Sequence, residues 1–209
     1  MCPTGTQIGP RKRHADLHQM EIDEAYYWLV QSERRKNILV GLNQPLTATH
    51  IAQRTNITLD ACLHLLWGLS LYGIIYCPNK GTRYNRLYWL TELGKACQRK
   101  LRETLALQPL SHHFPDVPWD LFSSVCYSHR SAVIKAMHEP MQAATIKRKA
   151  LFQNPKLRMS ANNVRDVIRY LLKEGVVRRI KIKKKAHPRY ELTVLGKAFK
   201  ELLMGAKGF

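Results

Sequence analysis

The sequence predicts a mainly α chain with small β-hairpins, an α+β fold made of one unit repeated in tandem. Three observations carry this. A seven-residue string recurs 102 positions on with six of its residues identical, apolar residues at helical spacing precede each copy, and β-rich runs flank a basic turn between them. The strings are Leu90-Thr91-Glu92-Leu93-Gly94-Lys95-Ala96 and Leu192-Thr193-Val194-Leu195-Gly196-Lys197-Ala198. The same offset carries Gly73 onto Gly175, Tyr88 onto Tyr190, Leu69 onto Leu171 and Leu101 onto Leu203. Several matches at one offset without a gap indicate an internal duplication.

In chain order, residues 1–15 form a basic tail and residues 16–107 an N-terminal helix with the first copy. Residues 108–127 form a connector, and residues 128–209 the second copy. The run Arg11-Lys12-Arg13-His14 admits three readings: a minor-groove arm, a nuclear address in a eukaryotic source, or a solvated tail. Asp16–Gln31 reads as helical, with Leu17, Met20, Tyr27 and Trp28 as its apolar residues. In each copy a short amphipathic helix comes first, Arg34–Asn43 and then Ser131–His138. A second helix follows, Thr47–Thr55 and about Met141–Phe152, with seven extra residues before the third helix of copy two. That third helix opens on a capping hydroxyl, Thr58 or Ser160, and closes at Gly73 or Gly175, where a left-handed residue is wanted. Strands Ile74–Cys77 with Leu87–Thr91, and Val176–Lys183 with Arg189–Thr193, then flank the basic turns. A last helix ends each copy, Glu92–Leu107 and Val194–Met204. The connector, with Pro109, Pro115, Pro118, Phe114 and Trp119, is aromatic enough to dock rather than float.

The 209 residues carry 34 Lys and Arg against 15 Asp and Glu, a net charge of +19. Such a charge is relieved by a polyanion that releases its own condensed counterions, so nucleic acid is the first expected partner and an anionic membrane surface the second. The charge is lopsided: residues 1–109 hold 14 basic and 8 acidic side chains, residues 110–209 hold 20 and 7. The longest apolar stretch, about Leu63–Cys77, is too short and broken to span a bilayer. The first twenty residues contain no apolar core of a secretion signal. Five scattered cysteines argue against a disulfide framework. A cytoplasmic, nucleoid-associated location follows as the expectation, or a nuclear one in a eukaryote.

Three helices followed by a β-hairpin with a basic tip resemble the winged helix-turn-helix superfamily, on its MarR, PadR and ArsR-like side. The strand–wing–strand there ends in Leu-Thr-x-x-Gly before a helix, as at Leu90-Thr91 with Gly94 and Leu192-Thr193 with Gly196. The resemblance covers about residues 33–107 and 128–204 and matches no single family within the superfamily. It implies two tandem winged helix-turn-helix domains, each with its third helix as the recognition helix.

The two third helices differ in chemistry. In copy two, Val164, Val167, Ile168, Leu171 and Leu172 form the core stripe. Asn162, Asn163, Arg165 and Arg169 lie on the outer side as candidate base readers, because Arg and Asn form bidentate bonds to guanine and adenine edges. The alternative for this face is an ordinary charged exterior. Lys173 lies farther along it, on the backbone side. Subtracting 102 from Arg165, Arg169 and Lys173 gives Leu63, Trp67 and Leu71. With Leu59 these form an apolar stripe, expected to pack against the N-terminal helix, copy two or a second subunit. The alternative is a register error that returns Trp67 to the core.

The candidate phosphate contacts in copy two are Lys147, Arg148 and Lys149 on the second helix, Arg158 in its following loop, and Arg179, Lys181, Lys183, Lys184, Lys185 and Arg189 in the wing. The first wing offers Lys80, Arg83 and Arg86 beside Tyr84. No motif of zinc hydrolysis, phosphate cradling or nucleophilic catalysis is present, and the acids are dispersed, so no enzyme, cofactor or metal is expected. His112 and His113 with Asp116 and Asp120 read as linker composition rather than a metal site. Cys62, Cys77 and Cys97 read as buried small hydrophobes before redox sensors.

Two functions fit. One is a sequence-specific transcriptional regulator on double-stranded DNA, with copy one making a homodimer. The other is a replication-initiator or assembly adaptor that docks a protein through copy one and grips DNA non-specifically. A basic wing does not by itself separate A-form RNA from B-form DNA.

Overall fold

The computed structural model describes residues 21–110, 115–180 and 187–205. Its first half runs α1 (Ile22–Val30), α2 (Glu33–Gly41), β1 (Leu46–Thr47), α3 (Ala48–Thr55), α4 (Leu59–Leu71), β2 (Ile75–Tyr76), β3 (Leu87–Leu90) and α5 (Glu92–Thr104). The second runs α6 (Trp119–Val125), α7 (Ser128–Ala136), β4 (Met141–Gln142), α8 (Ala143–Gln153), α9 (Ala161–Lys173), β5 (Val177–Ile180), β6 (Arg189–Leu192) and α10 (Val194–Gly205). Over the described residues the chain is therefore mainly helical, with two small antiparallel three-stranded sheets, and one order of elements runs through it twice.

The sheets have strand orders β1-β3-β2 and β4-β6-β5. Their registers correspond: Ile75 faces Leu90 as Val177 faces Leu192, and Leu46 faces Tyr88 as Met141 faces Tyr190. The sequence reading anticipates two-stranded hairpins and assigns Thr47 and Met141 to helices. Two-residue strands show no alternation to read, and Thr47 doubles as the cap of α3, accepting from the His50 amide. The seven extra residues of the second half fall in the longer α8 and in the loop that follows it.

A second difference concerns the connector. Its last third folds as α6, with Pro118 as N-cap. Phe122 and Val125 are fully buried in the second core, and the Phe122 ring lies 5.4 Å from that of Phe199. Apolar burial decides this, because an exposed Phe and Val here would forfeit about 1.5–3 kcal/mol each. Helices α1 and α6 thus occupy matching places ahead of α2 and α7. In the expected segment Asp16–Gln31, the described residues are helical over Ile22–Val30, and Ala25 and Leu29 seal against the first core.

Helix ends follow the anticipated chemistry. Thr58 accepts from the Ala61 amide, and Ser160 forms a reciprocal capping box with Asn163. Gly73 and Gly175 have φ of +66° and +69°, the left-handed turn that stops α4 and α9. The Leu-Thr-x-x-Gly string has a structural role in both halves. Thr91 caps α5 and donates its hydroxyl to the Gly73 carbonyl at 2.6 Å; Thr193 does the same to Gly175 at 2.7 Å. At Gly94 and Gly196 the helix backbone lies so close to the strand that a Cβ would overlap the carbonyl oxygens of Ile74 and Val176.

The halves touch through polar and apolar contacts. Gln44 Nε2 donates to the Leu202 carbonyl at 2.6 Å. Arg54 donates to the Gly41 carbonyl and Asn43 Oδ1, both at 2.6 Å, and also to the Gly205 carbonyl. One guanidinium thereby satisfies orphan carbonyls at the C-terminal ends of both α2 and α10. Leu87 of β3 is buried with the second core.

Candidate nucleic-acid interface

Helix α9 separates its two chemistries by geometry. Val164, Ile168 and Leu171 are buried, while Val167 and Leu172 are half-buried against the same core. On the opposite side Asn162, Asn163, Arg165, Arg169 and Lys173 are all exposed. Arg165 donates to Asn162 Oδ1 at 3.1 Å, and Arg169 pairs with Asp166 at 2.7 Å. Both contacts lie in solvent, where such pairs are worth about 0–1 kcal/mol, so the guanidinium groups exchange them readily for another acceptor. Asn163 differs from its neighbours. Its Oδ1 accepts from the Ser160 amide at 2.9 Å and from the Ser160 hydroxyl at 2.7 Å, which commits that oxygen to the helix start.

Further cations sit on α8, in the loop before α9 and on the hairpin after it. Arg148 on α8 is exposed, with Lys147 and Lys149 half-buried beside it; Lys149 reaches Glu139 at 3.8 Å and approaches His138. Arg158 is exposed before α9, its carbonyl accepting from His129 Nε2 at 2.9 Å. In the hairpin Arg179 and Arg189 are exposed, and Arg178 pairs with Glu191, the residue opposite it, at 2.5 Å. Lys181, Lys183, Lys184 and Lys185 lie outside the described residues, as do the Arg11–His14 run, His112 and His113.

The first hairpin is built around a buried amide. Asn79 is 1% exposed; its Oδ1 accepts from the Leu87 amide at 2.7 Å, and its Nδ2 donates to Thr82 Oγ1 at 2.6 Å and the Asn85 carbonyl at 3.3 Å. This brace holds a loop on which Lys80, Arg83 and Arg86 are exposed, with Arg83 over the Tyr84 ring at 5.5 Å. Nothing in the linear pattern marks Asn79, since its partners come from the turn it closes.

On α4 the same outward positions are apolar. Leu59, Leu63, Trp67 and Leu71 are 44%, 43%, 61% and 39% exposed. Cys62, Leu66 and Leu69 face the core, so Trp67 is not a core residue read in the wrong register. The expectation that the N-terminal helix covers this stripe is not met by α1. Trp28 packs instead on the adjoining flank, its ring 4.1 Å from that of Tyr72 and against Gly68, with Arg35 stacked 3.8 Å above it. The described residues of the second half leave the stripe open as well.

Three thiols, Cys62, Cys97 and Cys126, give no sign of activation. Burial pushes Cys62 up to about 11 and Cys126 up to about 12, and raises Cys97, so they stay protonated at neutral pH. Among the described residues no three His, Cys, Asp or Glu side chains stand together as a metal site. No helix among them is long and apolar enough to cross a membrane. Comparison with protein-family models, with curated proteins and with solved structures finds no match.

Proposed function

We propose that the chain is a double-stranded DNA-binding protein, a sequence-specific transcriptional regulator built from two tandem winged helix-turn-helix domains that arose by duplication. The observation that carries this reading is the contrast between two equivalent helices. On α9 the outward positions are Arg165, Arg169 and Lys173, exposed and flanked by a basic hairpin; on α4 the equivalents are Leu63, Trp67 and Leu71. In this reading α9 enters the major groove, with Asn162, Arg165 and Arg169 at base edges and Asn163 holding the helix start. Arg148, Arg158, Arg179 and Arg189 meet phosphates on either side. The first domain serves association through its apolar helix, and its hairpin adds Lys80, Arg83 and Arg86 to the backbone contacts.

A second reading is supported by the exposed Trp67 stripe alone: an assembly adaptor, such as a replication-initiator subunit, that docks a protein there and binds DNA non-specifically. Selection of the full chain on a randomised duplex pool at near-physiological salt separates the two. A regulator enriches a motif, and two-fold symmetry in that motif reports a homodimer. Tight, salt-sensitive retention without enrichment favours the adaptor.

A further inference from the structure

The seven residues that the second half has and the first lacks fall at one place. Thr55 matches Ala150 at an offset of 95, and Ile57 matches Met159 at an offset of 102. Ile57 and Met159 each stand just before the hydroxyl that caps the next helix. Between these anchors the first half has Asn56 alone, while the second has residues 151–158. The insertion is firmly seated. Leu151 and Leu157 pack against the second core, the Leu157 amide donates to the Asn154 carbonyl at 3.0 Å, and His129 Nε2 donates to the Arg158 carbonyl at 2.9 Å.

Phe152 stands apart from that seat. It is 87% exposed, whereas Phe122 and Phe199 are buried in the same core. It continues the outward line of α8, in which Ala144, Arg148 and Phe152 are spaced i, i+4 and i+8, opposite the buried Ile146 and Ala150. A lone exposed apolar side chain is unremarkable in itself. Its electrostatic setting is what distinguishes this one. From Pro140 to Arg165 the chain has no aspartate or glutamate. Arg148 lies one turn before the ring, Lys156 and Arg158 follow it in the loop, and all three are exposed. An aromatic ring among cations suits a base with its phosphates, because the ring enters the stack while the cations hold the backbone. The same cations repel a second copy of this chain of net charge +19.

We propose that residues 151–158 are a nucleic-acid contact in which Phe152 wedges into a base step of duplex DNA, with Arg148, Lys156 and Arg158 on the flanking phosphates. This rests on the reading of the chain as a duplex-DNA binder, and adds to it a local unstacking of the duplex that base reading by α9 does not require. The insertion runs straight into the Ser160 cap of α9, so the step it opens adjoins the stretch that α9 reads.

A wedge that unstacks a base step unwinds the duplex, a readout that needs no known target site. The test relaxes a closed circular plasmid with topoisomerase I in the presence of the full-length chain, at near-physiological salt. The parent is expected to shift the linking number in the direction of unwinding. At matched occupancy Phe152→Ala loses about half of that shift or more. It also weakens binding about fivefold or more, with the salt slope unchanged because no charge is removed. Phe152→Leu, still an apolar wedge, keeps most of the shift. Arg158→Ala does the reverse, lowering the salt slope by about one while keeping the shift at matched occupancy. A full linking-number shift in Phe152→Ala, or none in the parent, overturns the wedge and leaves duplex binding standing. Absence of any salt-sensitive retention of the plasmid overturns both readings. Loss of self-association by Phe152→Ala in light scattering, with the plasmid shift intact, also overturns the wedge and assigns the ring to a protein contact.

Discussion

Lys200 Nζ donates to the main-chain carbonyl of Met137 at 2.7 Å, tying the last helix to the end of α7. Its counterpart 102 residues earlier is Gln98, whose Nε2 donates to the Leu42 carbonyl at 2.8 Å at the matching end of α2. One structural task, satisfying a carbonyl at a helix C-terminus, is thus done by a neutral amide in one half and by an ammonium in the other. Burial lowers the Lys200 pKa, so its charge opposes the placement while its hydrogen bond supports it.

The first prediction follows from that substitution. Lys200→Ala is expected to destabilise the chain by about 1–2 kcal/mol through the orphaned carbonyl, and Lys200→Gln to recover most of the loss. Urea denaturation monitored by circular dichroism checks it. A Gln variant as unstable as the Ala variant would show that the charge, not the donated hydrogen bond, is what the site needs.

Gly196 carries a second prediction. Because a Cβ there would overlap the Val176 carbonyl oxygen, Gly196→Ala must push α10 away from the strand. Overpacking of this kind costs about 1–3 kcal/mol or more. Gly94→Ala is expected to do the same to α5 and Ile74. Gly81, with open space around it, is the control that should tolerate alanine within about 0.5 kcal/mol.

Much of this architecture was legible because its determinants are local. Thr58 and Ser160 announce helix starts, Gly73 and Gly175 their stops, and the α9 stripe of Val164, Ile168 and Leu171 shows its buried face at helical spacing. What stayed hidden depends on partners distant in sequence or on elements too short to have a period. Strands β1 and β4 have two residues each. Helix α6 sits in a proline-bearing stretch whose Phe122 finds its partner in Phe199, far down the chain. Asn163 is the exception: its capping box with Ser160 is a local signal spanning four residues, obscured because an asparagine there also suits a base contact. Contacts between the halves, such as that of Gln44 with the Leu202 carbonyl, have no linear signature, because the partners lie far apart in the chain.

A third prediction concerns pH. In the unfolded chain His50 titrates near its ordinary 6.5, and in the folded chain at about 4, because burial and then the Lys135 and Arg54 charges disfavour its protonation. Above pH 6.5 both states hold the ring neutral and the contribution to stability is complete. As pH falls from 6.5 toward 4, the unfolded chain takes up a proton that the folded chain does not, and stability declines. The loss from this group reaches about 3 kcal/mol once the folded value is passed. His50→Gln is expected to flatten the slope of stability against pH in that window, read from denaturation midpoints of variant and parent. An unchanged slope would place the titrating group elsewhere.

The fourth prediction separates base reading from backbone contact. Arg165→Ala and Arg169→Ala are each expected to cost about 1–3 kcal/mol on a selected duplex and little on random DNA. Arg179→Ala is expected to weaken both alike and to reduce the salt slope by about one. Asp166→Asn, which releases Arg169 from its 2.7 Å pair, should leave affinity for the selected site equal or higher. Equal losses on both duplexes for Arg165 and Arg169 would remove base reading from α9.

The apolar stripe of α4 supplies the last prediction. Trp67 is 61% exposed in a chain of net charge +19, where each copy repels the next. Association through this face must therefore be driven by burial of Leu59, Leu63, Trp67 and Leu71, at about 25 cal/mol for each Å² of apolar surface removed from water. The only charged residue in α4 itself is Asp60, so the helix adds little to the repulsion. Leu63→Glu combined with Trp67→Glu places two carboxylates on the contact and is expected to convert a dimer to a monomer in light scattering. The fold should be unchanged by circular dichroism, because neither side chain belongs to the core. A parent chain that is already monomeric would shift the stripe from self-association to a different protein partner. The double variant would then keep its DNA affinity while losing that partner.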